Sequence, residues 1–189
     1  MIEFFLNLDR ELLVYLNNLG SNNWDLLWLM LTDKLTFIPF FVLVIYFILK
    51  KFPLRQALFI LLFIALLILF TDQFTNLVKD YFQRLRPCRD DTLNTLLRSI
   101  DVRCGKYGFF SAHASNSMAI SIFLYMLFKT NDYKALNYFL ILWVFLFSYS
   151  RIYLGVHFPL DTLFGLIFGL FFGITTFKIL ENFILFRSK

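Results

Sequence analysis

The sequence predicts an all-α integral membrane protein, a helical bundle of about five transmembrane helices preceded by N-terminal interfacial helices. Three observations predict it. Hydrophobic residues fill 59% of the 189 positions and charged residues only 16%, whereas a soluble domain is roughly half apolar and about a quarter charged. The apolar residues fall in long runs divided by short charged turns. Only seven Gly and four Pro interrupt the chain, with no Ser/Gly linker, low-complexity tract or internal repeat, so the length suits one domain over 1–189.

The elements follow in order. Over 1–19, Phe4, Phe5, Leu8, Leu12, Leu13 and Leu16 recur at helical spacing, with Asn7, Arg10, Glu11 and Asn18 largely opposite them. Such a helix is too interrupted to span and is expected to lie at the membrane surface. Its acidic residues Glu3, Asp9 and Glu11 speak against a cleavable signal peptide. Gly20-Ser21-Asn22-Asn23 breaks it, and Trp24–Leu31 reads as a second interfacial or partly inserted helix, so 1–32 forms the interfacial region. An alternative joins this second run to the next as one long tilted span.

Spans are expected at 35–50, 54–78, 112–129, 134–153 and 158–180. Lys50-Lys51 closes the first, and Pro53 opens the second. The second has an unbroken apolar core, Ala57–Phe70, and a polar end: Asp72, Asn76 and Lys79, spaced four and three apart, line one face. A long loop, 80–110, mixes Arg84, Arg86, Arg89, Arg98, Arg103 and Lys106 with four Asp, and a loop of this length is usually functional or disordered. It holds both cysteines, Cys88 and Cys104, a candidate disulfide in an oxidising compartment and otherwise free thiols. The third span opens on Ser111-Ala112-His113, a helix start with a Ser cap, which is a ready anion site. Gly165, Gly169 and Gly173 share a face of the last span with Asp161 and are read as close helix packing. Basic residues at Lys50, Lys51, Arg55, Lys129, Lys134, Lys178, Arg187 and Lys189 mark one side as cytoplasmic. Lys79, the long loop, His113, Arg151 and His157 then face outward, to the periplasm or its equivalent.

One outer face therefore gathers Lys79, Arg86, Ser111, His113, Arg151, His157 and Asp161. Three fixed cations about a helix N-terminus suit a phosphate dianion. A His four residues from an Asp is a plausible nucleophile, and a second His a plausible acid for the leaving oxygen. No ligand spacing suggests a metal, and no cofactor is expected. The bland reading is snorkelling of Arg and His to lipid headgroups.

Lys79-x₆-Arg86-Pro87, then Phe110-Ser111-Ala112-His113, then Ser150-Arg151-x₅-His157-x₃-Asp161 resembles the three-part signature of the type 2 phosphatidic acid phosphatase (PAP2) superfamily, over about 79–161. The middle motif departs from the family's Pro-Ser-Gly-His at Phe110 and Ala112; Ala112 keeps its N–H but does not readily take positive φ. The resemblance implies that His157 is the nucleophile, Asp161 orients it and His113 is the general acid. It likewise implies that Lys79, Arg86, Ser111, Ala112 and Arg151 cradle the phosphate. Asp72 and Asn76 are read as support for Lys79.

The reaction implied is metal-independent hydrolysis of a membrane lipid phosphate through a phosphohistidine. The substrate reading leans to a polyprenyl (undecaprenyl) pyrophosphate, with lipid A 1-phosphate, phosphatidylglycerol phosphate or phosphatidate as alternatives. A non-catalytic anion- or lipid-binding membrane protein is the alternative of another class, and vanadate-dependent peroxidase chemistry a further one. The expected partners are the lipid substrate and the bilayer, with no nucleic acid. The sequence is silent on oligomeric state.

Overall fold

A computed structural model of the chain describes residues 2–93, 95–98 and 100–185. Arg187 and Lys189, used above for topology, lie outside the described residues. Seven α-helices occur among the described residues: α1 (Ile2–Asn18), α2 (Asn22–Thr32), α3 (Ile38–Lys51), α4 (Leu54–Phe82), α5 (Ala112–Leu127), α6 (Lys134–Tyr153) and α7 (Pro159–Leu185). An isolated bridge between Leu85 and Tyr107 draws the long loop into a narrow two-stranded neck.

By length and hydropathy, α4, α6 and α7 as far as Phe183 can each cross a membrane. The second run and the next are one bent pair: α2 and Leu35–Lys51 meet at 68°. Asp33 makes the break, accepting a hydrogen bond from Leu35 N at 3.1 Å and so capping the next turn. The expected span at 112–129 is the 16-residue α5, about 24 Å long at 1.5 Å per residue. It is the enclosed helix of the bundle, packed against α7, α6 and α4.

Small residues let α7 approach α5. A Cβ at Gly165 would lie 2.6 Å from Ser111 O, one at Gly169 2.3 Å from Ser115 O, and one at Gly173 2.5 Å from Ala119 O. The stripe of glycines is therefore a backbone-to-backbone seam, as its four-residue spacing predicts. Below it, Ile60, Leu67, Phe123, Leu124, Leu140 and Phe172 form the apolar core. Leu58, Leu62, Leu69, Ile141 and Phe145 point outward and stay exposed, which the hydrocarbon of a bilayer accommodates.

Helix α1 carries an unexpected face. Phe4, Phe5, Leu8 and Leu12 are exposed, while Asp9, Leu13 and Asn17, four apart, are buried. Asn17 fixes the helix at two points, donating to Tyr153 O at 2.6 Å and accepting from Arg98 N at 2.8 Å. In a membrane Phe4, Phe5, Leu8 and Leu12 can face lipid, while Leu13 packs with Leu93, Ile152 and Phe158 and Asp9 and Asn17 supply polar anchors on either side of it. The C-terminal ends of α4 and α6 and the N-terminal ends of α5 and α7 converge on the same end of the bundle, under α1 and the long loop.

Candidate active site

His157 sits in the tight connection between α6 and α7. The turn needs Gly155, whose φ is +64°, and the Val156 and His157 N–H groups both donate back to Arg151 O, at 3.1 and 3.2 Å. Its imidazole is 1% exposed, and Nδ1 lies 3.4 Å from Asp161 Oδ2. The i,i+4 spacing thus does put both on one face. The same carboxylate oxygen accepts from Phe158 N at 3.1 Å. Burial holds the His157 imidazole well below its ordinary titration range, reinforced by the positive charges of Arg86, Arg151 and Lys79 and opposed by a hydrogen bond to the Gly108 backbone. The imidazole is therefore neutral at pH 7.

Stability should report this. Below about pH 6.5 the unfolded chain binds a proton at His157 that the folded protein refuses, so acidification through that region removes stability, by up to ~1.4 kcal/mol per pH unit. The fall in melting temperature between pH 7.5 and pH 5.5 is expected to be smaller in His157→Asn than in wild type. Equal falls would show that the ring protonates in the fold.

In front of His157 lies a cavity of about 380 Å³, lined by Lys79 from α4, Arg86 from the loop, and Ala112 and His113 from the start of α5. Phe37, Phe41, Trp143 and Phe147 form its apolar wall, and Asp72, Asn76 and Asn116 line it further along. Arg86 is set by the loop neck: Nε donates to Tyr107 O at 2.9 Å, and its backbone N–H donates to Lys106 O at 3.1 Å. A disulfide between Cys88 and Cys104, with Cα atoms 6.6 Å apart, closes this neck beside Arg86. Gly108 lets the neck approach the site closely: a Cβ there would stand 3.0 Å from Asp161 Oδ2 and 3.2 Å from Arg86 Cγ.

Helix α5 begins as expected. Ser111 is its N-cap, fully buried, with Oγ accepting from Ala114 N at 3.4 Å. Ala112 is the first helical residue, and the described residues with positive φ are Gln83 and Gly155, so replacement of glycine by Ala112 strains nothing. Phe110 is wholly buried, stacked on Phe168 with ring centroids 4.9 Å apart.

Of the sequence-derived set, Lys79, Arg86, Ala112, His113 and His157 line the cavity, as do Asp72 and Asn76. Asp161 stands behind His157, and Ser111 N donates to Asp161 O at 2.9 Å. Arg151 is buried, and its Nη1 donates to the Thr32 hydroxyl; its Nε has no partner among the described residues.

Two residues escaped sequence reasoning. Arg84 Nη1 donates to Asp161 Oδ1 at 2.7 Å and Nη2 to Asp9 Oδ2 at 2.6 Å, while the guanidinium lies 4.0 Å above the Phe158 ring. Asp9 Oδ1 accepts from Leu160 N at 2.8 Å, capping the first turn of α7. Burial raises the Asp9 carboxyl above its ordinary value, against the pull of Arg84. The signal for Asp9 was present: it stands four residues from both Phe5 and Leu13, a carboxylate within an apolar stripe.

A neutral imidazole, held at Nδ1 by a carboxylate, opens on a cavity with two cations, a second histidine and a helix N-terminus. That arrangement can accept a phosphoryl group and stabilise its charge. The sequence model of the PAP2 superfamily matches residues 56–185. A lipid A 4'-phosphatase of Bacteroides thetaiotaomicron is 38% identical over 176 residues, covering 92% of this chain and 77% of that protein. A lipid A 4'-phosphatase of Porphyromonas gingivalis is 30% identical over 182 residues, covering 94% and 75%. Two crystal structures share the fold. Aquifex aeolicus LpxE superposes with TM-score 0.66 at 24% identity, over 89% of this chain and 93% of that one. The PAP2 type phosphatidylglycerolphosphate phosphatase from Bacillus subtilis superposes with TM-score 0.71 at 19% identity, over 94% and 87%.

Proposed function

The chain belongs to the PAP2 superfamily and is a membrane lipid phosphatase, and from that premise we propose that it removes the 4'-phosphate of lipid A, with its active site on the outer face of the membrane. The observation that carries the chemistry is the buried His157 between Asp161 and a cavity holding Lys79 and Arg86. With Nδ1 turned toward Asp161 and the Gly108 backbone, the lone pair at Nε2 is the one available to substrate. Nε2 attacks phosphorus, the P–O bond to the sugar breaks, and His113 gives its proton to the departing oxygen. Asp161 stabilises the charge that the ring acquires. Lys79, Arg86 and the N-terminus of α5 at Ala112 hold the equatorial oxygens, with Ser111 and Arg151 shaping that cradle from behind. Water then attacks the phosphohistidine, His113 takes a proton from it, and orthophosphate leaves with the imidazole restored.

Support for lipid A over the polyprenyl pyrophosphate favoured by sequence alone comes from the two lipid A 4'-phosphatases, each matched over more than nine-tenths of this chain. The expected result is that the purified chain, in detergent with chelator present, converts lipid A to a product lighter by one phosphate. Tandem mass spectrometry should place the loss on the distal sugar. Undecaprenyl pyrophosphate should be turned over with kcat/KM at least ~10-fold lower, the equivalent of about 1.4 kcal/mol in transition-state binding. A preference in the opposite direction would return the reading to the polyprenyl carrier.

A further inference from the structure

The cavity in front of His157 does not change directly from phosphate-binding to apolar. Along α4 its lining runs Lys79, Asn76, Asp72 and Ile68, spaced three, four and four, so one stripe of the helix faces it. Asn76 stands about 4.5 Å and Asp72 about 10 Å from Lys79 along the axis, at 1.5 Å per residue, away from the loop end of the helix. Asn116 of α5 lines the same stretch, and its Oδ1 is buried without a hydrogen-bond partner. Among the described residues neither the Asp72 nor the Asn76 side chain has a hydrogen bond or an ion pair; Asp72 is half-buried and Asn76 exposed at the cavity's edge. Ile68 follows one turn beyond Asp72 on the same stripe, and Phe37 and Phe41 give the same cavity an apolar wall.

A carboxylate at this depth in a membrane helix is costly unless something satisfies it. The charge of Lys79 is felt by Asp72, but no ion pair joins the two among the described residues, so the carboxylate is left open to an occupant of the cavity. An occupant fits if it has a phosphate at one end, hydrogen-bond donors just inward of it, and alkyl chains beyond. We propose that Asp72 and Asn76, with Asn116, form a linkage subsite that selects lipid phosphates whose uncharged linkage region carries hydroxyl or amide N–H donors. This deepens the phosphatase reading above and rests on it. An acylated amino sugar or an N-acylated amino alcohol supplies such donors. A diacylglycerol phosphate brings only ester acceptors against the Asp72 carboxylate, and a polyprenyl chain brings no polar group there. A site built to bond a substrate O–H or N–H discriminates strongly against an analogue lacking it, because its own polar groups are then left unpaired.

The test compares ceramide 1-phosphate, which has an amide N–H and a hydroxyl near its phosphate, with phosphatidate, which has neither. Both are assayed with the full chain in mixed micelles, beside lipid A. Wild type is expected to favour ceramide 1-phosphate by about 10-fold or more in kcat/KM. In Asp72→Leu that ratio should fall to about 1, through loss on ceramide 1-phosphate; Asn76→Leu should lower it in the same direction. Asp72→Asn, which keeps an acceptor and the side-chain shape, should keep part of the preference and guards against misfolding of the leucine variant. A wild-type ratio near 1 overturns the proposal. So does a proportional loss on both lipids in Asp72→Leu, which would make Asp72 a support for Lys79. Failure to hydrolyse lipid A, with the Asp72-dependent preference intact, would refute the lipid A reading and leave the subsite standing.

Discussion

Replacing His157 with Asn is expected to lower kcat for lipid phosphate hydrolysis by about 10⁴-fold or more, the scale seen when a covalent nucleophile is removed from a site that otherwise stays intact. Asn fills much of the ring's volume and can still face Asp161, so the fold should survive. What disappears is the Nε2 lone pair that attacks phosphorus: Lys79 and Arg86 are cations, and the His113 ring is tilted against Phe147 with centroids 5.0 Å apart, where it serves as the proton donor and acceptor. Rapid quenching should trap an acid-labile, alkali-stable phosphoenzyme in wild type and none in His157→Asn. A second variant separates the roles. His113→Ala should still form the phosphoenzyme from a substrate with a good leaving group, such as p-nitrophenyl phosphate, and should then release phosphate slowly. Retention of a tenth of the activity in His157→Asn would end the phosphohistidine mechanism.

What could be read from sequence was local. His157 and Asp161 are four apart at a helix start, Ser111 caps the helix that carries His113, and Asp72, Asn76 and Lys79 fall on one turn-repeating stripe. Each follows from the 3.6-residue period and from capping chemistry, which need no tertiary knowledge. Arg151 has a partner that its motif does not foretell. Its type and position match a phosphate ligand, yet its Nη1 is bonded to Thr32, because the bend between α2 and Leu35–Lys51 brings that hydroxyl to it. The pairings of Asp9 with Arg84 and with Leu160 cross 75 and 151 residues of chain. No periodicity encodes contacts of that separation. Helix α1 is amphipathic by its spacing, as expected of a helix at the membrane surface, but the spacing does not say which polar residue meets the protein: Phe4 and Leu8 are exposed and can face lipid, whereas Asp9 is buried.

Arg84 is accordingly expected to matter nearly as much as the motif residues. Arg84→Ala should lower kcat by about 10²-fold while leaving KM for lipid phosphate within a few-fold, since Arg84 does not line the cavity. The guanidinium is the one cation joining two buried carboxylates: it bonds Asp161 on one side and Asp9 on the other, with the carboxylates otherwise held by Phe158 N and Leu160 N. Removing one member of a buried ion pair costs about 3–5 kcal/mol, because it leaves charge uncompensated. Here it would leave two carboxylates facing the gap, which the protein can relieve only by protonating one or moving them apart. Either response disturbs the Oδ2 that orients His157. Arg84→Lys should recover little, because an ammonium cannot bridge two carboxylates as a planar fork does. Asp9→Asn keeps an acceptor for Leu160 N and loses the charge, so its kcat should fall about 10-fold. Combined with Arg84→Gln, it should cost less than the two separate losses added, as expected of side chains acting through one contact. The discriminating readout is the single-turnover rate of phosphoenzyme formation in folded Arg84→Ala. A merely structural arginine would lower the melting temperature and leave that rate alone. A rate reduced in step with kcat would make α1, through Asp9, part of the apparatus that aims the nucleophile.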